Sequence, residues 1–431
     1  MIKQSCRDRL EQALTRIADP GGEGARACLT VYADSARGAA DAADRRAVRG
    51  DTLGPLDGVI VGIKDLFDVA GEPTRAGSKI LAQEAAPAAA DAVVVSRLRA
   101  SGAIIVAKTN MSEFAYSGIG TNPHFGTPGN PRDRSRVPGG SSAGAPVAVA
   151  DGMCEIAIGT DTGGSVRIPA ALCGLVGFKP SRQRIPTTGV FPLSGTLDSI
   201  GPIARSVADC AKADAVMADE AFAPPEPANL AGLRIGIAEG PPLAHLDGTV
   251  TTAFAKAAAE LGSAGLRLSR ETVTLLDDMQ RIVANGGILP YEAYVLHRER
   301  LKRRLADIDP NIRVRLERAA AISNRDYAEN LRARAGLVAA IDGRLAALDA
   351  LVMPTVPIVA PTIAEVADAT AFAARNAALL QNTAIVNFFD LCAVTLPLAA
   401  ELPVGLMLVA RNGEDRRLLA IAEAIARVLG Y

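Results

Sequence analysis

Six short apolar runs recur along the chain: GVIVGI (58–63), AIIV (103–106), CEIAIG (154–159), LRIGI (233–237), DALVM (349–353) and PVGLMLVA (403–410). Runs of this length with little polar alternation suit strands buried on both faces. Longer stretches separate or flank them, at 4–18, 24–49, 91–101, 247–265, 275–305, 311–346 and 414–429, with apolar residues at helical spacing. Buried strands alternating with amphipathic helices predict an α/β fold, a large mixed β-sheet covered by helices on both faces. A length of 431 residues admits one large or two medium domains. The Pro-rich stretch DEAFAPPEPANL (219–230) is the one candidate linker, and a single domain over 1–431 is the simpler reading.

Charge narrows the function classes. Lys and Arg total 46 against 47 Asp and Glu, so no net basic field exists to grip nucleic acid or an anionic membrane. Aromatic residues make up 4% with no Trp, which leaves few platforms for stacking bases. Six cysteines lie scattered without CxxC spacing and read as small buried groups in a reducing compartment. The charged N-terminal segment shows no secretory signal and no stretch approaches 18 uninterrupted apolar residues, so a cytoplasmic protein without membrane span is expected. No HExxH, paired-Cys or calcium pattern is present, so neither a metal nor a cofactor is expected.

The most unusual composition lies at 139–181, GGSSAGAPVAVADGMCEIAIGTDTGGSVRIPAALCGLVGFKPS, with Gly-Gly-Ser at 139–141 and again at 163–165. Glycines before a serine permit close backbone approach. After the second tripeptide a helix is predicted to start at VRIPAALC, with Pro169 in its first turn. A serine there sits among outward N–H groups suited to a developing oxyanion. Such a nucleophile needs a base. His245 and His297 fall in polar, exposed, helical contexts, which leaves His124 in the loop NPHFGTP as the histidine candidate. A lysine is the alternative, and residue type alone does not separate Lys64 from Lys108, since both end apolar runs.

The same segment resembles the signature of the amidase signature family of Ser-Ser-Lys hydrolases. The likeness rests on PGGSSAG (138–144), AIGTDTGGSVRIPAALCGLVGFKPS (157–181), GVFPLSGTLDSIGPIARSVADC (189–210), GIKDLFDVAGEPTRAGS (62–78) and AKTNMSEFAYSGIGTNPHFGTPGNP (107–131), and returns at LDALVMPTVPIVAP (348–361), NTAIVNFFDLCAVTLP (382–397) and LPVGLMLVARNGEDRRLL (402–419). It implies the amidase-signature fold, with N-terminal helices to about 50, a signature core at about 55–215, a more variable substrate-shaping region at about 219–345 and a return to the core at 346–431. Carried over by position, it makes Ser165 the nucleophile, Ser141 the bridging serine after a cis peptide bond, and Lys64 the base. Thr162, Gly163 and Gly164, with Ser165 itself, would supply the oxyanion-hole amides, while Ser142, Asp161 and Arg167 would support the loop. The family's usual glycine after the serine pair is replaced here by Ala143.

Lysine accepts a proton only when neutral, so reaching about 7–8 from a reference near 10.4 requires roughly 4 kcal/mol of discrimination against the ammonium. Burial can supply it. The implied activity is hydrolysis of a small carboxamide to acid plus ammonia or amine. The glutaminase-type subunit of a tRNA-dependent amidotransferase, the one case in which nucleic acid enters, and a hydrolase of ureides such as biuret or allophanate derivatives are the alternatives. A homodimer is common in the family. Substrate contacts are sought at Tyr116, in the loop 120–137, at Tyr291 and Tyr294, and at Asn382 and Asn387, with Arg132, Arg134 and Arg136 nearest in sequence for a substrate carboxylate.

Overall fold

The computed structural model describes residues 4–431. Its centre is one eleven-stranded mixed sheet. The strands are β1 (Cys28–Val31), β2 (Ile60–Lys64), β3 (Ile104–Thr109), β4 (Ile156–Asp161), β5 (Val176–Lys179), β6 (Ser199–Ala204), β7 (Arg234–Glu239), β8 (Arg267–Thr272), β9 (Ala350–Pro354), β10 (Cys392–Leu398) and β11 (Val404–Ala410). They lie in the order β1-β3-β2-β4-β6-β5-β10-β11-β9-β7-β8. Strand β2 runs parallel to both β3 and β4, and β7 runs parallel to β8 and β9. The remaining pairs are antiparallel, which makes the sheet mixed.

All six apolar runs form strands, within one to three residues of their predicted limits. The sheet also recruits five strands that the pattern misses. β1 interrupts the stretch 24–49, which divides into a short helix Gly24–Ala27, the strand, and a helix Ala33–Arg49. Four residues at a sheet edge, flanked by alanine-rich helix, leave almost no period-2 signal. β6 carries Gly201 and Pro202, both poor strand formers, and its place is fixed by pairing with β4 and β5. β8, RLSRET, is a polar edge strand, and charged side chains on an edge discourage further pairing.

Two long helical stretches break where the backbone demands it. Gly286 and Gly287, at φ +94° and +72°, divide 275–305 into helices Leu275–Ala284 and Leu289–Arg304. Ser323 starts a fresh helix, Asn324–Leu345, through a reciprocal capping box with Asp326. The stretch 219–230 has no regular structure, and its Ala228 amide donates to Ala420 O, tethering it to the C-terminal helix. No described helix is long and apolar enough to cross a membrane.

Burial follows from this arrangement. The central strands β2, β3, β4, β5, β6, β9, β10 and β11 have every residue buried. Each such apolar side chain contributes about 1.5–3 kcal/mol relative to exposure. A polar side chain on one of them is therefore desolvated, and its behaviour is set by the partners the sheet brings to it.

Candidate active site

Two of the three predicted catalytic side chains meet directly, and the third lies on the loop after β4. Lys64 ends β2 and is fully buried. Its Nζ lies 2.8 Å from Ser141 Oγ and 2.9 Å from Thr160 Oγ1, hydrogen-bonding both. Burial holds this amine down to about 7, against the opposing pull of Asp198 and Asp161. Ser141 follows a cis Gly140–Ser141 peptide and precedes the helix Gly144–Ala150. Its carbonyl accepts from the Ser112 amide at 3.0 Å. Gly140 packs so closely on Ser117 and Gly120 that a Cβ would come within 2.7 Å of the Gly120 nitrogen. Lys64 and Ser141 have no exposure, whereas Ser165 retains 5%, so of the three only Ser165 is within reach of a ligand.

The structure separates the two lysines that the sequence left tied. In the parallel ladder Lys64 pairs with Thr109 and Ile63 with Lys108, so alternation turns Lys108 to the opposite face from Lys64. There it neighbours Asp65 and Glu72, with Glu72 Oε2 at 3.8 Å. The histidines are placed elsewhere. His124 Nε2 faces Glu113 Oε2 at 3.2 Å. His297 is not exposed as expected: it is fully buried, its ring 3.9 Å from that of Phe114, and burial lowers it to about 3. Its helix lies across the signature core, which sequence spacing could not reveal. His245 is exposed, but it sits in a turn at φ +58° rather than a helix.

The Thr162–Ser165 loop joins β4 to the helix Arg167–Cys173, and its supports are buried. Asp161 receives Arg167 Nη2 at 2.8 Å and Nε at 3.0 Å, with both residues inaccessible. Asn387 Nδ2 donates to Asp161 Oδ1 at 2.9 Å, and Arg167 also donates to Asn387 Oδ1 at 2.7 Å and Thr383 O at 3.0 Å. Burial pushes the Asp161 carboxyl up, but the Arg167 guanidinium outweighs it and holds the group at about 2. Arg167 is thus a loop support, and Asn387 braces that pair rather than a ligand. Ser142 Oγ is buried with no hydrogen-bond partner, so it does not hold Lys64.

Thr383 Oγ1 donates to Gly163 O at 2.6 Å, fixing the orientation of that peptide. Gly164 has φ +136°, and a Cβ there would lie 2.2 Å from Thr383 Oγ1. Glycine at 164 is therefore a packing requirement. Thr162 Oγ1 donates to Asp198 Oδ1 at 2.6 Å. Thr160, Asp198, Ser199 and Thr383 lie within the stretches that resemble the family but were given no role there: those roles, including the Ser199 hydroxyl on the Asp161 carbonyl, depend on register and on contacts between segments 36 to 220 residues apart.

The other sequence candidates are placed as follows. Arg134 pairs with Asp151 and Arg136 with Asp133, while Arg132 is exposed. Asn382 bridges the Pro242 and Pro354 carbonyls at 3.0 and 2.8 Å. Tyr291 stacks on Tyr327. Tyr116 is buried with the Arg315 guanidinium 3.9 Å above its ring. Among the described residues no group of three or more His, Cys, Asp or Glu is placed to hold a metal ion.

Comparison with known proteins shows the family of the chain. A family model described as Amidase matches residues 10–419. A 2-amino-5-chloromuconic acid deaminase from Comamonas testosteroni is 37% identical over 405 residues, which span 92% of this chain and 87% of that protein. A glutamyl-tRNA(Gln) amidotransferase subunit from Anaeromyxobacter dehalogenans is 49% identical over 207 residues, or 48% of this chain and 42% of the relative. An amidase crystal structure is 31% identical with a TM-score of 0.88, covering 99% of this chain and 97% of that one. The chain belongs to the amidase family, with the α/β fold expected of it. It is a hydrolase acting on the C–N bonds of amides.

Proposed function

We propose that the protein is a free-standing amidohydrolase that converts a small carboxamide to acid plus ammonia or amine through an acyl-enzyme on Ser165. The observation that carries this reading is the buried Lys64 amine, hydrogen-bonded to Ser141 and held near neutrality. A lysine at about 7 is half neutral at physiological pH and can accept a proton. Ser165 Oγ attacks the carbonyl carbon while its proton passes to Ser141, whose own proton passes to Lys64. The oxyanion is received by backbone amides of Thr162, Gly163, Gly164 and Ser165, the loop braced by Asp161, Arg167 and Thr383. The C–N bond breaks, the amine leaves with the relayed proton, and water repeats the sequence on the ester.

The deaminase match spans nearly the whole of both chains, whereas the amidotransferase match covers about half of this one, which favours the free hydrolase. The six unpaired cysteines support a cytoplasmic setting. The test is ammonia release by the purified chain alone over a panel of aliphatic, aromatic, amino-acid and ureide amides. Turnover abolished in Ser165→Ala supports the proposal. Glutamine turnover that requires added partner proteins, with silence elsewhere, would instead make this chain one component of an amidotransferase.

A further inference from the structure

The turn between residues 191 and 198 is fastened at both ends by carboxylates. Asp198 Oδ2 accepts from the Leu193 and Ser194 amides at 2.9 and 3.1 Å, while its other oxygen accepts from Thr162 Oγ1. On the outer side, Glu292 accepts from the Ser194 and Thr196 hydroxyls, from the Thr196 amide at 3.1 Å and from Tyr327 Oη at 2.7 Å. Glu292 belongs to the helix Leu289–Arg304 and Tyr327 to Asn324–Leu345, both outside the signature core. Ser194 joins the two clasps, since its amide serves Asp198 and its hydroxyl serves Glu292.

The inner clasp reaches the chemistry by strand geometry. Thr160 pairs with Ile200 and Asp161 with Ser199, and one step further Thr162 meets Asp198. Lys64 Nζ is on Thr160 Oγ1 and Asp198 Oδ1 is on Thr162 Oγ1, so both charges lie at the C-terminal end of β4, where Asp198 is the carboxylate that weighs most on Lys64.

We infer that Glu292 is a positioning residue for the reaction, holding through Ser194, Thr196 and Asp198 both the Thr162–Ser165 loop and the carboxylate that faces Lys64. The inference rests on the roles assigned above to Lys64 and Ser165. Loss of Glu292 loosens Asp198. The charged groups bearing on Lys64 are Asp198 and Asp161; Asp198 favours the ammonium more, so its withdrawal lowers the pH at which Lys64 gives up its proton.

The test uses Glu292→Ala, Glu292→Gln and Tyr327→Phe in the full chain. In amide hydrogen exchange, Glu292→Ala should speed exchange at 161–165 and 191–198 about tenfold or more, with β10 and β11 unchanged. A fluorophosphonate then reads the nucleophile without a known substrate. Ser165 Oγ forms the O–P bond, fluoride leaves with the P–F electron pair, and the serine proton passes to the relay. Glu292→Ala should label roughly 10–100-fold more slowly, with its acid limb moved to lower pH. Glu292→Gln, which keeps an acceptor oxygen, should recover much of the rate, and Tyr327→Phe, which removes one donor to Glu292 and leaves the turn's own, should label at a rate between the parent's and that of Glu292→Ala. Unchanged exchange at 161–165, or an unchanged limb in Glu292→Ala, overturns the inference. Failure of the parent itself to label at Ser165 would refute the nucleophile assignment, and the exchange result would still decide the role of Glu292.

Discussion

Replacing Lys64 by methionine tests the proton affinity on which the mechanism depends, without any substrate. The side chain is fully buried, and its folded value of about 7 lies well below the roughly 10.4 of an unfolded lysine. That difference corresponds to about 4–5 kcal/mol. Between these two values the unfolded chain binds a proton that the folded chain has shed, so parent stability rises with pH across this window. Below about 7 both states are protonated and the full penalty is present. Methionine carries no such penalty and fills a similar volume, at a pH-independent cost from the hydrogen bonds lost to Ser141 and Thr160. Urea unfolding of both proteins at pH 6, 7, 8 and 9 gives the difference. The advantage of Lys64→Met over the parent should shrink by about 2 kcal/mol from pH 7 to pH 9, and be nearly flat from pH 6 to pH 7. A difference constant from pH 7 to pH 9 would mean that Lys64 remains an ordinary ammonium, and the relay would fail with it.

Three further outcomes follow from the same geometry. The acid limb of kcat/KM should fall near pH 7, because Lys64 accepts only when neutral, and Asp198→Asn should move it lower; a limb below pH 5 in the parent would assign it to another group. Arg167→Met leaves the Asp161 carboxylate buried without its guanidinium and should cost about 3–5 kcal/mol in urea unfolding, whereas a loss under about 1 kcal/mol would show that Asp161 finds other compensation. Gly164→Ala drives a Cβ into Thr383 Oγ1 and should lower kcat by roughly 10²–10³-fold in a chain that still folds; full activity would place the oxyanion donors elsewhere.

The sequence was most legible where chemistry and local pattern coincide. The unbroken apolar runs became central strands because nothing but a two-sided core suits them. Two Gly-Gly-Ser tripeptides marked the loops that hold Ser141 and Ser165, but residue type left Lys64 and Lys108 tied, and only the resemblance to a family divided them. The physical difference is ladder parity, which one strand read alone does not reveal. Arg167 was expected to support the loop and is buried against Asp161, but its further partners, Thr383 and Asn387 on one helix over 200 residues away, leave no trace in the local pattern. Thr160, Asp198, Glu292 and Thr383 act through partners brought by register and packing, and ordinary threonines and acids in a sequence carry no mark of that. His297 was misplaced for the same reason, since the polar neighbours on its helix conceal the face that packs on Phe114.

The central claim is a covalent acyl-enzyme on Ser165. Its most direct test is acid quenching during turnover of an accepted amide, followed by peptide mass mapping. The account predicts an added acyl mass on the peptide containing Ser165, located on that serine, and no adduct with unimpaired folding in Ser165→Ala. An adduct on another residue, or undiminished ammonia release by Ser165→Ala, would contradict it.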